Sequence, residues 1–265
     1  MEERHLREKR FHDRIYGEQS RDDVVRKYYR IMDGRIRFYE ELLISRCPGR
    51  RVLEYGCGQG GHAYLLAEEG AFVTAIDLSE TAIEQAEKTA RARGLSENTD
   101  FRVMNAEALD FADDTFDVVC GTAIIHHLDL HRAYSEISRV LKPDGLAVFM
   151  EPLGHNPLIN LYRRLTPRLR TEDEHPLRLE DFELARSFFE EVEVSYFHLL
   201  SLLAVPFGNT RPFPRLLGTL DAADRLLFRH LPSARKHAWY SVMILGRPGT
   251  RGLTGTASQR KDPAP

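Results

Sequence analysis

RVLEYGCGQGGHAYLLAEEGAFVTAID, residues 51 to 77, decides the fold of this chain. Val52, Leu53 and Tyr55 form a short apolar run, and Gly56, Cys57, Gly58, Gln59, Gly60 and Gly61 follow as a turn dense in glycine. That is the pattern of a buried strand entering a tight loop. Glycine belongs where the backbone takes positive φ or approaches a ligand so closely that a Cβ would collide. The loop leads into a helix expected from Gly61 to Glu69, whose first N–H groups are able to face a polar ligand. A second apolar strand, Ala71 to Ile76, ends in Asp77. An acid about 20 positions beyond a glycine loop hydrogen-bonds ribose hydroxyls. Together these parts make a nucleoside-binding β-α-β unit.

Gly56, Gly58 and Gly61 also satisfy the dinucleotide pattern G-x-G-x-x-G, so the glycines alone do not choose the cofactor. Glu54 tips the choice, because an acid ahead of the loop repels a diphosphate and attracts a cation. With it, Glu54-Tyr55-Gly56-Cys57-Gly58-Gln59-Gly60 resembles the nucleotide-binding motif of class I S-adenosylmethionine-dependent methyltransferases, an acid, any residue and then G-x-G-x-G. The resemblance is to the small-molecule, type 11 and ubiquinone-menaquinone methyltransferase-like group. It implies that Glu54 and the loop backbone through Tyr55, Gly56, Cys57, Gly58 and Gly60 hold the methionine end of S-adenosylmethionine. It further implies that Asp77, with Leu78 beside it, takes the ribose. Two alternatives stand beside this reading: an NAD(P)-dependent oxidoreductase using the same loop, and a non-catalytic partner protein that binds S-adenosylmethionine.

Composition is compatible with all three. A chain of 265 residues suits one large domain with insertions, and a core of that size needs no disulfide staples. A net charge of -3 with 42% hydrophobic residues lacks the basic excess of a nucleic-acid binder. Cys47, Cys57 and Cys120 have no metal-ligand spacing and cannot all pair, which fits a reducing, cytoplasmic compartment. The charged start MEERHLREKRFHDR has no signal-peptide core.

Upstream of the glycine loop, residues 21–46 carry apolar and aromatic positions at helical spacing, predicting two helices divided near Asp33-Gly34. In the resembled family such a segment closes over the cofactor, which would bring Tyr16, Tyr28 or Tyr29 to the site; packing against the sheet is the plainer role. Downstream of Asp77, Ser79 caps a helix to Arg93 with Gly94 at its end, and a strand from Asp100 to Met104 follows. There the resemblance implies adenine contacts from Asn105 and Ala106, with Glu107 and Thr122 also in the cofactor set. An aspartate is usual at the position of Asn105, but an amide still offers an acceptor and a donor to adenine.

Phe116 to Cys120 reads as the fourth strand, followed by Gly121-Thr122-Ala123-Ile124-Ile125-His126-His127. Open α/β sheets bind ligands outside the carboxyl ends of their strands, so acceptor and cofactor should meet there. The pair His126-His127 resembles the histidine segment of many small-molecule methyltransferases. An imidazole titrates near neutrality and so can take a proton from a hydroxyl. Asp129 caps the next helix, Lys142-Pro143-Asp144-Gly145 ends it, and Leu146 to Met150 is the uninterrupted apolar run of a central parallel strand. LKPDG before such a strand is a second motif that resembles the same family. Glu151 and His155 leave the end of that strand and join the two histidines as candidate bases.

The last part of the chain departs from the plain pattern. Residues 152–178 carry Arg163, Arg164, Arg168, Arg170 and His175 among Glu172, Asp173 and Glu174, either a receiver for an acidic group on the acceptor or a solvated helix face. A helix from Asp181 to Phe189 and a strand from Val192 to Phe197 follow. The leucine-rich stretch at 198–235 is broken by prolines and too short in apolar runs to cross a membrane. It reads as a lid over a hydrophobic acceptor, or as packing for a helical appendage or dimer contact. Ala238 to Leu245 closes the sheet, and residues 248–265 have the composition of a disordered tail.

The expected architecture is therefore α/β: a seven-stranded, doubly wound methyltransferase sheet over 49–247 with a helical cap at 1–48. Helical insertions are expected after strand 5 and between strands 6 and 7. The expected reaction moves a methyl group to oxygen or carbon, with nitrogen open, of a small, partly apolar acceptor such as a lipid, quinone or polyketide-like molecule. No nucleic acid, transmembrane segment or metal enters this reading, and peripheral membrane contact is compatible with it.

Overall fold

The computed structural model describes residues 3–5, 7, 31–166 and 174–249. Tyr16, Tyr28 and Tyr29, most of the expected cap, Arg168, Arg170, Glu172, Asp173 and nearly all of the expected tail lie outside them.

Seven strands form one sheet: β1 (Arg51–Tyr55), β2 (Phe72–Asp77), β3 (Thr99–Val103), β4 (Phe116–Thr122), β5 (Leu141–Pro152), β6 (Phe189–Phe197) and β7 (Tyr240–Pro248). Their order is β3-β2-β1-β4-β5-β7-β6. The first five pair in parallel, and β7 runs antiparallel to both β5 and β6. The order reverses at β1, with β2 on one side and β4 on the other, and that reversal opens a crevice at the carboxyl edge.

Side chains alternate between two buried faces, as the strand period of two requires. Leu53, Val119, Ala147, Phe149 and Met243 join one core with α4 (Leu130–Val140) and α6 (Leu179–Ala185). Val52, Val118, Cys120, Val148 and Val242 join the other, against α1 (Asp33–Ile44), α2 (Ala63–Glu68) and α3 (Glu80–Arg93). Two helix starts follow the sequence residue by residue. Ser79 Oγ accepts the N–H of Ala82, and Asp129 accepts that of Arg132. Gly94 ends α3 at φ 71°, a left-handed turn that glycine adopts without strain.

Several boundaries differ from expectation for local reasons. Gly60 and Gly61 hold φ of 117° and 40°, so α2 begins only at Ala63. The KPDG stretch does not merely stop α4. It lies inside β5, and the pairing with β4 shifts register between Phe116 and Val118 to accommodate it. Helix α6 ends at Ala185, four residues before β6 opens at Phe189.

Because β7 is antiparallel, its first residue, Tyr240, lies opposite both Pro152 at the end of β5 and Phe197 at the end of β6. The excursion between β6 and β7 therefore leaves and returns at the carboxyl edge. It comprises a 3-10 segment (Leu200–Phe207), α7 (Phe213–His230) and a short 3-10 turn. With Ile31, Met32 and Ile159 of α5 (Pro157–Leu165), it forms a third, smaller core through Leu202, Ala204 and Trp239. On α5 the outward face carries Leu158, Leu161 and Leu165, all exposed, rather than the arginines alone. Arg163 instead donates to Leu153 O at 3.1 Å.

Asp224, buried on α7, ties this excursion together by accepting the N–H groups of Leu199, Leu200 and Ser201 at 2.7–3.1 Å. Bonds to a charged acceptor are worth more than neutral ones, and their loss strands buried donors. Asp224→Ala should cost about 2–3 kcal/mol in urea unfolding and should speed amide exchange at residues 199–201.

Candidate active site

The glycine loop is held at both ends by carboxylates. Asp77, closing β2, accepts Gly58 N–H and Ser79 N–H, each at 2.9 Å. Glu54, buried in β1, accepts His62 N–H through Oε1 at 2.7 Å. Its Oε2 is buried and has no hydrogen-bond partner. Between them Gly56 and Gly58 take φ of 60° and 52°, and a Cβ built on Gly61 would stand 2.3 Å from Glu54 Oε1. Burial first, and then the charges of Glu54 and Asp77, push the Cys57 thiol well above its ordinary pKa. The two acids thus act on one sulfur atom and flank one loop.

His62 is the residue here that the sequence pattern did not single out. Its Nδ1 lies 3.7 Å from Glu54 Oε1 and its Nε2 3.8 Å from Glu40, and its ring meets Tyr39 edge-on. Burial alone would lower its pKa, but the hydrogen-bonded charge of Glu54 and that of Glu40 outweigh it and raise the imidazole above its ordinary value. Its position just after the glycines was a usable signal, since an imidazole beside a helix start and a buried acid completes a charge pair.

Other expected cofactor contacts have plain positions. Asn105 Oδ1 accepts Glu107 N–H at 2.9 Å, and Ala106 is buried. Leu78 follows Asp77 at the end of β2, half-buried, and Thr122 Oγ1 is buried without a hydrogen-bond partner. Two of the expected residues have their side chains engaged elsewhere. Tyr55 turns its ring into the core, edge-on to Phe149 at 5.8 Å, so only its backbone serves the loop. The Glu107 carboxylate is occupied by Arg4, by His5 at 3.2 Å and by Asp129 N–H at 2.7 Å. A buried carboxylate so engaged anchors the N-terminal segment rather than a ligand. That segment also reaches the loop after β4, where Arg4 donates to His127 O at 2.8 Å.

The loop after β4 is built on Glu151, fully buried at the end of β5. Oε1 accepts Ile124 N–H and Ile125 N–H, each at 2.9 Å, and Oε2 lies 2.6 Å from His126 Nδ1. Ala123 takes φ 53°, a strained value for a residue with a side chain, as it turns from β4 into this arrangement. Ile124 then fills the space above two glycines: a Cβ on Gly56 would lie 2.7 Å from it, and one on Gly121 2.8 Å. The β1 loop and the β4 loop are thereby pressed together at the carboxyl edge. The His126 and His127 rings lie tilted against each other with centroids 4.2 Å apart, and Glu174 Oε1 lies 3.7 Å from His126 Nε2. Among the described residues, His155 makes no hydrogen bond with this group.

Residues 53–149 match the family described as a methyltransferase domain. Over that stretch the chain resembles a class I methyltransferase domain. The family's cofactor is S-adenosylmethionine, and the buried, unpartnered Glu54 oxygen beside a side-chain-poor loop fits its cationic methionine end. Relatives of the methyltransferase domain act on different atoms. One is a glycine/sarcosine/dimethylglycine N-methyltransferase of Actinopolyspora halophila, 36% identical over 109 residues, covering 40% of this chain and 19% of that protein. Another is a sterol 24-C-methyltransferase of Gibberella zeae, 39% identical over 101 residues, covering 37% of this chain and 27% of that one. The chain thus spans under a third of these two relatives. A solved phosphoethanolamine N-methyltransferase of Haemonchus contortus, complexed with phosphomonomethylethanolamine and S-adenosylhomocysteine, shares the fold. Its TM-score is 0.58 at 20% identity, covering 79% of this chain and 52% of that one. No described helix is long and apolar enough to cross a membrane.

The raised His62 pKa carries a sign. A base that binds its proton more tightly when folded contributes stability that is complete below its unfolded pKa, about 6.5, and lost as pH rises through the folded value. His62→Asn should therefore destabilise the methyltransferase domain more at about pH 6 than at about pH 8.5 in paired urea titrations.

Proposed function

We propose that residues 49–247 are a methyltransferase that transfers the methyl group of S-adenosylmethionine to a small, partly hydrophobic acceptor, with oxygen and carbon favoured and nitrogen open. The observation that carries this reading is the Glu54 oxygen, buried and without a donor, beside the loop of positive-φ glycines. A group there must satisfy an anion in a site of low polarity. The methionine ammonium does so, and a dinucleotide's diphosphate does not.

In this reading Glu54 and the backbone of residues 55–60 hold the methionine end. Asp77 spans the loop and retains lone pairs for ribose hydroxyls, since each carboxylate oxygen accepts more than one bond. Asn105 and Ala106 meet the adenine, with Leu78 and Thr122 at the margins. Bound there, S-adenosylmethionine supplies an electrophilic sulfonium methyl, and in-line displacement gains chiefly from near-attack positioning in dry surroundings. The chain contributes that positioning through Ile124, which fixes the β4 loop against Gly56. His126, His127 and Glu151 form the polar wall on the acceptor side, where an oxygen acceptor would give up its proton; His155, which leaves the end of β5, is the fourth candidate. The 198–239 excursion, at the same edge, supplies the apolar wall. The relatives' differing acceptors support the reaction class and leave the acceptor itself to experiment.

Calorimetric titration of the purified chain should give S-adenosylhomocysteine binding and no comparable binding of NAD; preference for NAD would overturn the reading. Glu54→Gln keeps the shape and removes the charge, and should weaken S-adenosylhomocysteine by about 10- to 100-fold. Methyl-label transfer in cell extracts should disappear with Gly58→Arg. Label transfer unchanged by that variant would mean that catalysis does not occur at this loop.

A further inference from the structure

No metal is expected from the sequence, yet the acceptor-side wall has the donor set of one. His126, His127 and Glu174 each offer a ligand atom, and the three atoms lie within 4.8 Å of one another. They come from distant regions of the chain. His126 and His127 sit in a 3-10 turn after β4. Glu174 arrives because the chain at 174–178 lies along the end of β5. Leu177 bridges Leu153, Leu177 N–H donates to Pro152 O at 3.0 Å, and His175 N–H donates to His126 O at 3.0 Å.

We propose that these three side chains bind a first-row divalent transition cation, Zn2+ or Co2+ in kind. Two further observations support it. First, His126 is oriented as a ligand: Glu151 Oε2, 2.6 Å from Nδ1, fixes the ring and leaves Nε2 toward Glu174. A carboxylate behind a histidine in this way sets the tautomer and strengthens the other nitrogen as a donor. Second, the 3.7 Å from His126 Nε2 to Glu174 Oε1 is too long for a hydrogen bond. It is close to the about 3.4 Å that separates two ligands of a tetrahedral ion with bonds of about 2.1 Å. His127 and Glu174 are less buried than His126, so they are the arms that draw in around an ion. Two imidazoles with one carboxylate select a transition ion over Mg2+ or Ca2+, which prefer all-oxygen shells. Three protein ligands leave a coordination position open.

The site's existence rests on its own geometry. Its role rests on the proposed methyl transfer: a cation there would hold an acceptor oxygen and favour its ionised form, taking over the task otherwise left to a histidine.

The test uses the full chain, free of any affinity tag and stripped with EDTA, with neither nucleoside nor acceptor present. Zn2+ titrated calorimetrically should bind at one equivalent and remain with the protein through gel filtration. Glu174→Gln and His127→Gln should each weaken binding at least about 10-fold, and Glu151→Gln, behind His126, by about 10- to 100-fold. Far-ultraviolet circular dichroism and S-adenosylhomocysteine binding would confirm that Glu174→Gln remains folded. Substoichiometric binding, or the same affinity in Glu174→Gln, would overturn the site while leaving the methyltransferase reading intact. Loss of S-adenosylhomocysteine binding in the parent protein would overturn that reading without touching the metal.

Discussion

Most of this structure depends on the bracketing of one backbone loop by two carboxylates. A run of glycines at positive φ has no side chains with which to hold itself, and its conformational freedom in the unfolded chain makes ordering costly. Asp77 supplies an acceptor to Gly58 N–H, and Glu54 supplies one to His62 N–H just past the loop. The loop is shaped from outside by strands β1 and β2, which pair in register from Arg51↔Phe72 to Tyr55↔Ile76. Both acids come from the ends of adjacent parallel strands, so the sheet itself sets their relation to the loop.

Another carboxylate has the matching role at the end of β5. Glu151 gathers Ile124 N–H, Ile125 N–H and His126 Nδ1 in one buried position. Burying a charge is costly unless its hydrogen-bonding capacity is filled, and here two backbone N–H groups and the His126 ring fill it. The same turn seats Ile124 over Gly56 and Gly121. The region assigned to the cofactor and the region assigned to the acceptor are consequently in van der Waals contact, so displacement of one is felt by the other.

What the sequence made legible was chiefly local. Ser79 and Asp129 as caps, Gly94 as a terminator and the five parallel strands follow from chemistry within a few residues of each position. That Glu54 and Asp77 flank the glycine loop was legible because their distance from the glycines is fixed by strand and helix lengths. Long-range placements were not. KPDG reads as a stop, yet pairing with β4 draws Leu141 into the sheet and absorbs the extra residues as a register shift. Glu107 reads as a cofactor contact, yet Arg4 and His5, distant in sequence, occupy it. Tyr55 belongs to the motif by position but faces the core by strand alternation. Glu174 carries no spacing signal toward His126, because only the pairing of Leu177 with Leu153 brings it there.

The reversed direction of β7 has a wider consequence. Since β6 finishes and β7 starts at one edge, the 198–239 segment is a closed excursion, and its length is uncoupled from the hydrogen-bond ladder beneath it. Residues can be gained, lost or exchanged there without resetting any strand, whereas a single insertion in β1 would misplace Glu54 and one in the glycine turn would carry His62 N–H away from it. For the proposed methyl transfer, such a division would let the rim be refitted to new acceptors while the loop beneath it stays as it is.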